Sequence, residues 1–153
     1  MTFRGGALGI ATDAGSGLTL AHTTATDNDA EDGGAFAHLS ETGTDLTLTD
    51  SIVWRHTGSP AIAEGLPSPA ALTQATCLFD ANAGNYDLVT LTAPVDGASG
   101  NQIDSGMPDF VDVRIGDWAG SDWSLGPASD ATGADSQGDD LGAFGGPDGA
   151  WSP

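Results

Sequence analysis

Oxygen-bearing side chains stand at alternate positions in one short segment, Asp27-Asn28-Asp29-Ala30-Glu31-Asp32-Gly33. The carboxylates of Asp27, Asp29 and Glu31 have the spacing with which a turn can place several oxygen ligands around a calcium ion. The glycine comes one place later than in an EF-hand loop, and no acidic residue closes the loop in the right position. Two interpretations therefore stay open, a weak calcium site and a polar turn without metal.

The acidity extends to the whole chain. Asp and Glu number 22 against 3 basic residues, which gives a net charge of −19. Such a charge repels phosphates and anionic lipids, so nucleic-acid binding and membrane-surface binding are both disfavoured. The acidity is explained either by solubility in a saline environment or by the binding of divalent cations. A second acidic group is equally consistent with a solvated turn, and it consists of Asp130, Asp135, Asp139 and Asp140.

Few residues could carry out acid–base or nucleophilic catalysis. Lysine is absent, and Arg114 stands among aspartates with which we expect it to form a local ion pair. His22, His38 and His56 have no neighbouring pattern typical of a nucleophile or of a zinc site. The sequence therefore favours a segment without catalytic residues, and we expect no cofactor other than the possible calcium.

The single cysteine, Cys77, cannot form an intrachain disulfide. It lies 26 residues after Ser51, within a run of residues that favours a strand. Nothing nearby in the sequence would lower the pKa of its thiol. We therefore expect a small buried thiol at this position and not a nucleophile.

These residues are set in a repeating sequence. Leu18-Thr19-Leu20 and Leu46-Thr47-Leu48-Thr49 recur at a separation of 28 residues, and Ala71-Leu72-Thr73 follows 26 residues later. A period of this length is typical of a structural unit stacked on copies of itself. The three copies, of which the third is the most diverged, span residues 5–32, 33–58 and 59–80.

The alternation of Leu and Thr predicts short strands with a period of two. If each copy forms one coil, equivalent residues stack about 4.8 Å apart on neighbouring parallel strands. Two inward-facing ladders are then expected, Leu18–Leu46–Leu72 and Thr24–Ile52–Leu78. The frequent turns also permit a sandwich of short antiparallel strands, but the regular spacing of the copies favours the solenoid.

Residues 81–153 do not repeat, and Gly, Asp and Pro dominate them. Because the last rung of a solenoid needs a cover, we expect this irregular region to cap the fold, with a mobile tail. Phe110, Trp123 and Phe144 are the candidates to plug the end. Exposed tryptophans that stack on sugar rings are the alternative, which would make carbohydrate a partner.

The second copy resembles a known family. Gly33-Gly34-Ala35 followed by 46–54, Leu-Thr-Leu-Thr-Asp-Ser-Ile-Val-Trp, is similar to the coils of bacterial right-handed parallel β-helix proteins. These are the pectin-lyase-like solenoids, including the polymorphic outer-membrane-protein type of repeat. Segments 101–112, 122–130 and 140–147 are similar to the stretches that follow the last coil in that family. The resemblance implies an all-β, right-handed parallel β-helix (β-solenoid) of about three rungs with an irregular C-terminal cap.

The resemblance also implies a function. We expect a non-catalytic extracellular or cell-surface module that serves as a stalk, spacer or adhesive face and belongs to a longer protein. Its partners would be further coils of a parent chain, a second copy of itself, or carbohydrate. No apolar run approaches the roughly 20 residues of a membrane helix, so membrane insertion is not expected. The alternative is a fragment of a polysaccharide lyase or hydrolase whose catalytic rungs lie upstream.

Overall fold

The fold is built from short β-strands. In the residues that the structure describes, twelve strands accompany a single turn of 3-10 helix, Ala98–Gly100. None of these residues belongs to a helix long and apolar enough to cross a membrane. The computed structural model describes residues 17–26, 28, 37–39, 45–54, 60–64, 71–80, 86–87, 92–93, 95–104, 108–112, 114 and 120–142.

The strands follow the predicted copies. The first copy provides β1 (Gly17–Ala21) and β2 (Thr24–Thr26). The second provides β3 (Ala37–Leu39), β4 (Asp45–Thr49) and β5 (Ile52–Trp54), and the third provides β6 (Ile62–Glu64), β7 (Leu72–Ala75) and β8 (Leu78–Asp80). The later strands are β9 (Tyr86–Asp87), β10 (Gln102–Asp104), β11 (Phe110–Asp112) and β12 (Asp122–Leu125).

Equivalent strands of successive copies pair in parallel and form three sheets. The leucine sheet has the order β1-β4-β7, the covered sheet has the order β10-β8-β5-β2, and the third sheet has the order β3-β6-β9. The two-residue link between β1 and β2 recurs between β4 and β5 and between β7 and β8. The predicted all-β class and the parallel pairing are therefore both confirmed.

The leucine ladder has the predicted register. Leu18 is opposite Leu46 on adjacent parallel strands, and Leu46 is opposite Leu72. Leu46 is fully buried, while Leu18 and Leu72 are partly buried and pack against the same core. Thr19, one residue along the strand from Leu18, is exposed, as the period of two requires.

The second ladder is in register, but its predicted direction is wrong. Ile52 is opposite Thr24 and Leu78, as expected. The core shared by the three sheets, however, contains Val53 and Phe79, the residues that follow Ile52 and Leu78. Because adjacent residues of a strand point to opposite faces, Ile52 and Leu78 lie on the outer face, in a separate apolar cluster.

Parallel pairing continues beyond residue 80. β9 pairs with β6 and β10 pairs with β8, so the chain adds a partial fourth layer to two of the sheets. Ile103 is opposite Phe79 and packs against the main core. The sequence did not predict this layer, since no recognisable copy of the repeat accompanies it.

The C-terminal residues cover a sheet face. β11 and β12 form an antiparallel pair, and Phe110 makes an edge-to-face contact with Trp123 at a ring-centroid distance of 5.4 Å. Phe110 packs against the outer cluster of Ile52 and Leu78, so the expectation that it plugs the solenoid end is wrong. Apolar residues on the outer face of β5 and β8 offered it a larger contact. Phe144 and the tail predicted to be mobile lie outside the described residues.

Candidate functional site

The most regular polar structure lies at the corner that joins the leucine sheet to the covered sheet. In each layer the first corner residue has a left-handed backbone, with φ of 47° at His22, 50° at Asp50 and 52° at Thr76. Such angles cost a residue with a Cβ roughly 1–2 kcal/mol, so the corner must be held by other contacts. In the next layer glycine takes this position, with φ of 76° at Gly100.

The second corner residue of each layer supplies some of those contacts. Ser51 Oγ donates a hydrogen bond to the carbonyl of Thr49 at 2.6 Å and accepts one from the backbone N–H of Thr23 at 3.1 Å. Asn101 uses the same position differently, since its Oδ1 accepts from the N–H of Cys77 at 3.1 Å. Side chains of one layer thus bind the backbone of the neighbouring layer and fix the stacking of the corners.

Cys77 stands at the same corner position as Ser51. It is fully buried, and its Sγ lies 3.3 Å from the carbonyl oxygen of Ala75, to which it donates. Burial raises the pKa of the thiol to about 11, although hydrogen bonds with the backbone of Ser51 and Ala75 oppose this rise. The predicted small buried thiol is confirmed, and at neutral pH it is protonated and a poor nucleophile.

Asp50 fastens the C-terminal strap, by which we mean residues 126–142, to the corner. Its Oδ1 accepts the backbone N–H of Ser136 at 2.8 Å, and its Oδ2 accepts the Ser136 hydroxyl at 3.1 Å. Its backbone carbonyl accepts the N–H of Gly142 at 2.9 Å. One residue of the second copy therefore binds both ends of a seven-residue stretch of the strap, and its carboxylate is itself buried.

Apolar contacts add to this clasp. Ala131 and Leu141 of the strap are buried in the outer cluster with Ile52, Trp54 and Leu78. The N–H of Leu141 donates to the carbonyl of Ala131 at 2.9 Å or less, which closes the intervening residues into a compact loop. The strap therefore protects an apolar sheet face from water, and burial of such side chains typically contributes about 1.5–3 kcal/mol each.

Gly142 is required where the strap reaches the sheet. Its φ is 86°, and a Cβ at this position would overlap Thr24 Oγ1 and lie 3.0 Å from Ile52 Cδ1. Glycine alone combines this backbone angle with so close an approach. The glycine content that the sequence analysis assigned to turns therefore has a packing role here.

Asp135 organises the loop of the strap that lies against the corner. Its Oδ1 accepts the backbone N–H groups of Gln137 and Asp139, both at 2.7 Å. Burial acts to raise the pKa of this carboxyl, but the hydrogen bonds and the nearby His22 outweigh burial and hold the pKa below its usual value. Its Oδ2 is buried and has no hydrogen-bond partner in the described part of the chain.

The predicted calcium ligands Asp27, Asp29 and Glu31 lie outside the described residues. Asn28, which stands between two of them, donates from Nδ2 to the carbonyl of Thr26 at 3.3 Å. Within the described ranges, no group of three or more His, Cys, Asp or Glu residues is arranged to hold a metal ion. The possible calcium site thus stays a prediction.

The second acidic group is drawn into the strap, and its members have separate tasks. Asp135 binds the loop backbone, while Asp140 Oδ1 accepts the N–H of Gly133 at 2.9 Å. Asp130 is exposed, and Asp139 contributes its backbone N–H to Asp135. This group was predicted equally well as a solvated turn, and the structure gives two of its carboxylates backbone partners instead.

Two further sequence predictions can be compared with the structure. Arg114 forms the expected ion pair, with its Nη2 2.8 Å from Oδ2 of Asp112 on an exposed surface. His22 lies at an exposed corner in register with Asp50, as its alignment predicted. The side chain of His38, on β3, and the residue His56 lie outside the described part of the structure.

Sequence reasoning missed the clasp of Asp50 with Ser136. The two residues are 86 positions apart, and Ser136 belongs to no repeat that could have been aligned with Asp50. It also missed Asn101, although this asparagine lies 24 residues after Cys77, close to the repeat length. Alignment of a partial fourth copy would have found that residue.

The corner and strap together form a structural lock. The buried thiol is protonated, Asp50 has donors on both carboxylate oxygens, and the ion pair of Arg114 is exposed. The chain matches no protein-family model, and comparisons with curated proteins and with solved structures find no similar protein. The functional argument therefore starts from geometry, and the resemblance of the second copy to β-helix coils stays a prediction.

Proposed function

We propose that the chain is a right-handed parallel β-helix module that acts outside the cell or at its surface as a stalk, spacer or adhesive face. The observation that carries this proposal is the register of equivalent residues in successive copies. Leu18, Leu46 and Leu72 are opposite one another on parallel strands, and so are Thr24, Ile52 and Leu78. Every copy then adds one layer, about 4.8 Å thick, to a rod.

A layered rod suits a mechanical or spacing role because its length is set by the number of copies. The corner hydrogen bonds run between layers, as in the bond from the N–H of Thr23 to Ser51 Oγ, and resist their separation. Further coils of a parent chain, or a second copy, could continue the sheets at the edge strands. The location outside the cell follows from the resemblance of the second copy to surface β-helix proteins.

Duplication of one copy tests the proposal. A second copy of residues 5–32 inserted before Gly33 keeps a Thr24 beside Ile52 and leaves the strap contacts in place. We expect the variant to fold cooperatively and to be longer by about 4.8 Å, one strand spacing. Circular dichroism, unfolding curves and small-angle X-ray scattering supply the measurements.

The matched control is a Gly/Ser-rich insertion of the same length at the same position, which should form a flexible loop and lower the cooperativity of unfolding. A duplicated chain that unfolds like this control would contradict the rod proposal. Cleavage of a polysaccharide by the purified wild-type chain would instead favour the carbohydrate-active enzyme.

A further inference from the structure

The strap has an apolar face to conceal. Without it, Ile52, Trp54 and Leu78 would lie on the outside of the covered sheet, whereas in the folded chain each is buried. The outer face of a β-sheet usually carries polar residues at such positions. Attachment of the strap therefore determines whether this chain presents a polar or an apolar surface.

One atom of the attachment lacks a partner. Asp135 is 8% exposed, and its Oδ2 is buried without a hydrogen bond from any described residue. A buried carboxylate oxygen without a donor or a positive charge is costly, typically by about 1–3 kcal/mol. The surroundings are acidic, since Asp50, Asp139 and Asp140 lie in the strap or at the corner it contacts.

His22 is the cation closest at hand. Its backbone N–H donates to the carbonyl of Thr49 at 3.2 Å, which places it at the corner one layer from Asp50. Asp135 precedes Ser136, the residue that Asp50 binds. His22 and Asp135 thus flank the same carboxylate, and His22 acts electrostatically on Asp135. Among the described residues, the titratable groups around His22 are Asp50, Asp130, Asp135, Asp139 and Asp140.

We propose that His22 is a pH-dependent latch for the strap: its imidazolium form compensates Asp135 and holds the strap closed, and its neutral form loosens the strap. This device goes beyond the proposed stalk or spacer role. Histidine ordinarily changes its charge between about pH 5 and 8. Asp135 stays ionised throughout this range because its pKa is lowered. The strap is therefore closed most tightly at mildly acidic pH and opens more often as the pH rises.

Amide hydrogen exchange followed by NMR tests the latch. The reporters are the N–H groups of Ser136, Leu141 and Gly142, which bond within the strap or to Asp50. Exchange is measured at about pH 5.5 and about pH 8 at fixed ionic strength. After correction for intrinsic rates, we expect the opening constant to be about two- to fivefold larger at the higher pH, the range of an ion pair with one exposed partner.

Two variants keep the result interpretable. His22→Gln should give equal opening constants at both pH values, whereas His56→Gln should retain the wild-type dependence. The N–H of Leu78, which donates to Ser51 within the sheets, reports global unfolding and should not follow the strap. The latch is refuted if the wild-type strap opens equally at both pH values, or if His22→Gln preserves the difference.

Discussion

Replacement of Gln74 by leucine should stabilise the protein. Gln74 continues an inward-facing column in which Leu20 is opposite Leu48 and Leu48 is opposite Gln74. The amide atoms Nε2 and Oε1 of Gln74 are buried and have no hydrogen-bond partner among the described residues. Burial of an unpaired amide costs about 1–3 kcal/mol in mutational data. Because leucine occupies a similar volume, Gln74→Leu should raise the free energy of unfolding by about 1–3 kcal/mol.

The assay is equilibrium unfolding in urea, followed by the fluorescence of the buried Trp54. Thr73→Leu is the matched control, because Thr73 is the exposed neighbour of Gln74 on the same strand. The control should change stability by no more than about 0.5 kcal/mol, as surface substitutions usually do. If Gln74→Leu leaves stability unchanged or lowers it, the inward column cannot be the apolar environment described above.

Leu46→Ala should cost about 2–5 kcal/mol in the same assay, the range for cavities in well-packed cores, and a cost below 1 kcal/mol would contradict its central place in the ladder. Asp50→Asn should cost about 1–3 kcal/mol and speed amide exchange at Ser136, since the clasp loses one of two acceptors; unchanged exchange would disprove the clasp. Cys77 should resist a thiol reagent at about pH 8 until the chain unfolds, given its raised pKa; rapid labelling of the folded chain would show otherwise. Calcium should raise the melting temperature no more than magnesium at equal ionic strength, whereas a calcium-specific rise lost in Asp27→Ala or Asp29→Ala would establish the metal site.

The parallel strands could be predicted because the chain repeats itself. Leu18, Leu46 and Leu72 share a local pattern and a nearly constant separation, and stacking follows from equivalence of the copies. The corner position of His22 and the buried thiol of Cys77 followed from the same alignment. Repetition thus carried information about contacts that are distant in sequence.

The outer face could not be predicted from the same pattern. Ile52, Val53 and Trp54 are three consecutive apolar residues, so alternation gives no indication of which side faces the core. The decision depends on the strap, whose Ala131 and Leu141 cover Ile52 from outside. A strand with two buried faces needs apolar residues throughout, and the sequence of the strand alone cannot identify its cover.

The lock at the corner was equally beyond the sequence. Asp50 stands in a position that the other copies fill with His22 and Thr76, so its carboxylate has no counterpart in the repeat. Its partner Ser136 belongs to an irregular segment in which acidic residues and glycines alternate without period. Contacts between a repeating region and a non-repeating one leave no periodic signal.

The parallel register of the copies is the central claim, and interstrand nuclear Overhauser effects between backbone protons test it most directly. The structure predicts contacts that advance together along the chain, with Leu18 beside Leu46 and Leu20 beside Leu48. The same direction should continue from Leu46 to Leu72. Contacts that run in opposite directions, with Leu18 beside Leu48 and Leu20 beside Leu46, would show antiparallel strands and contradict the account.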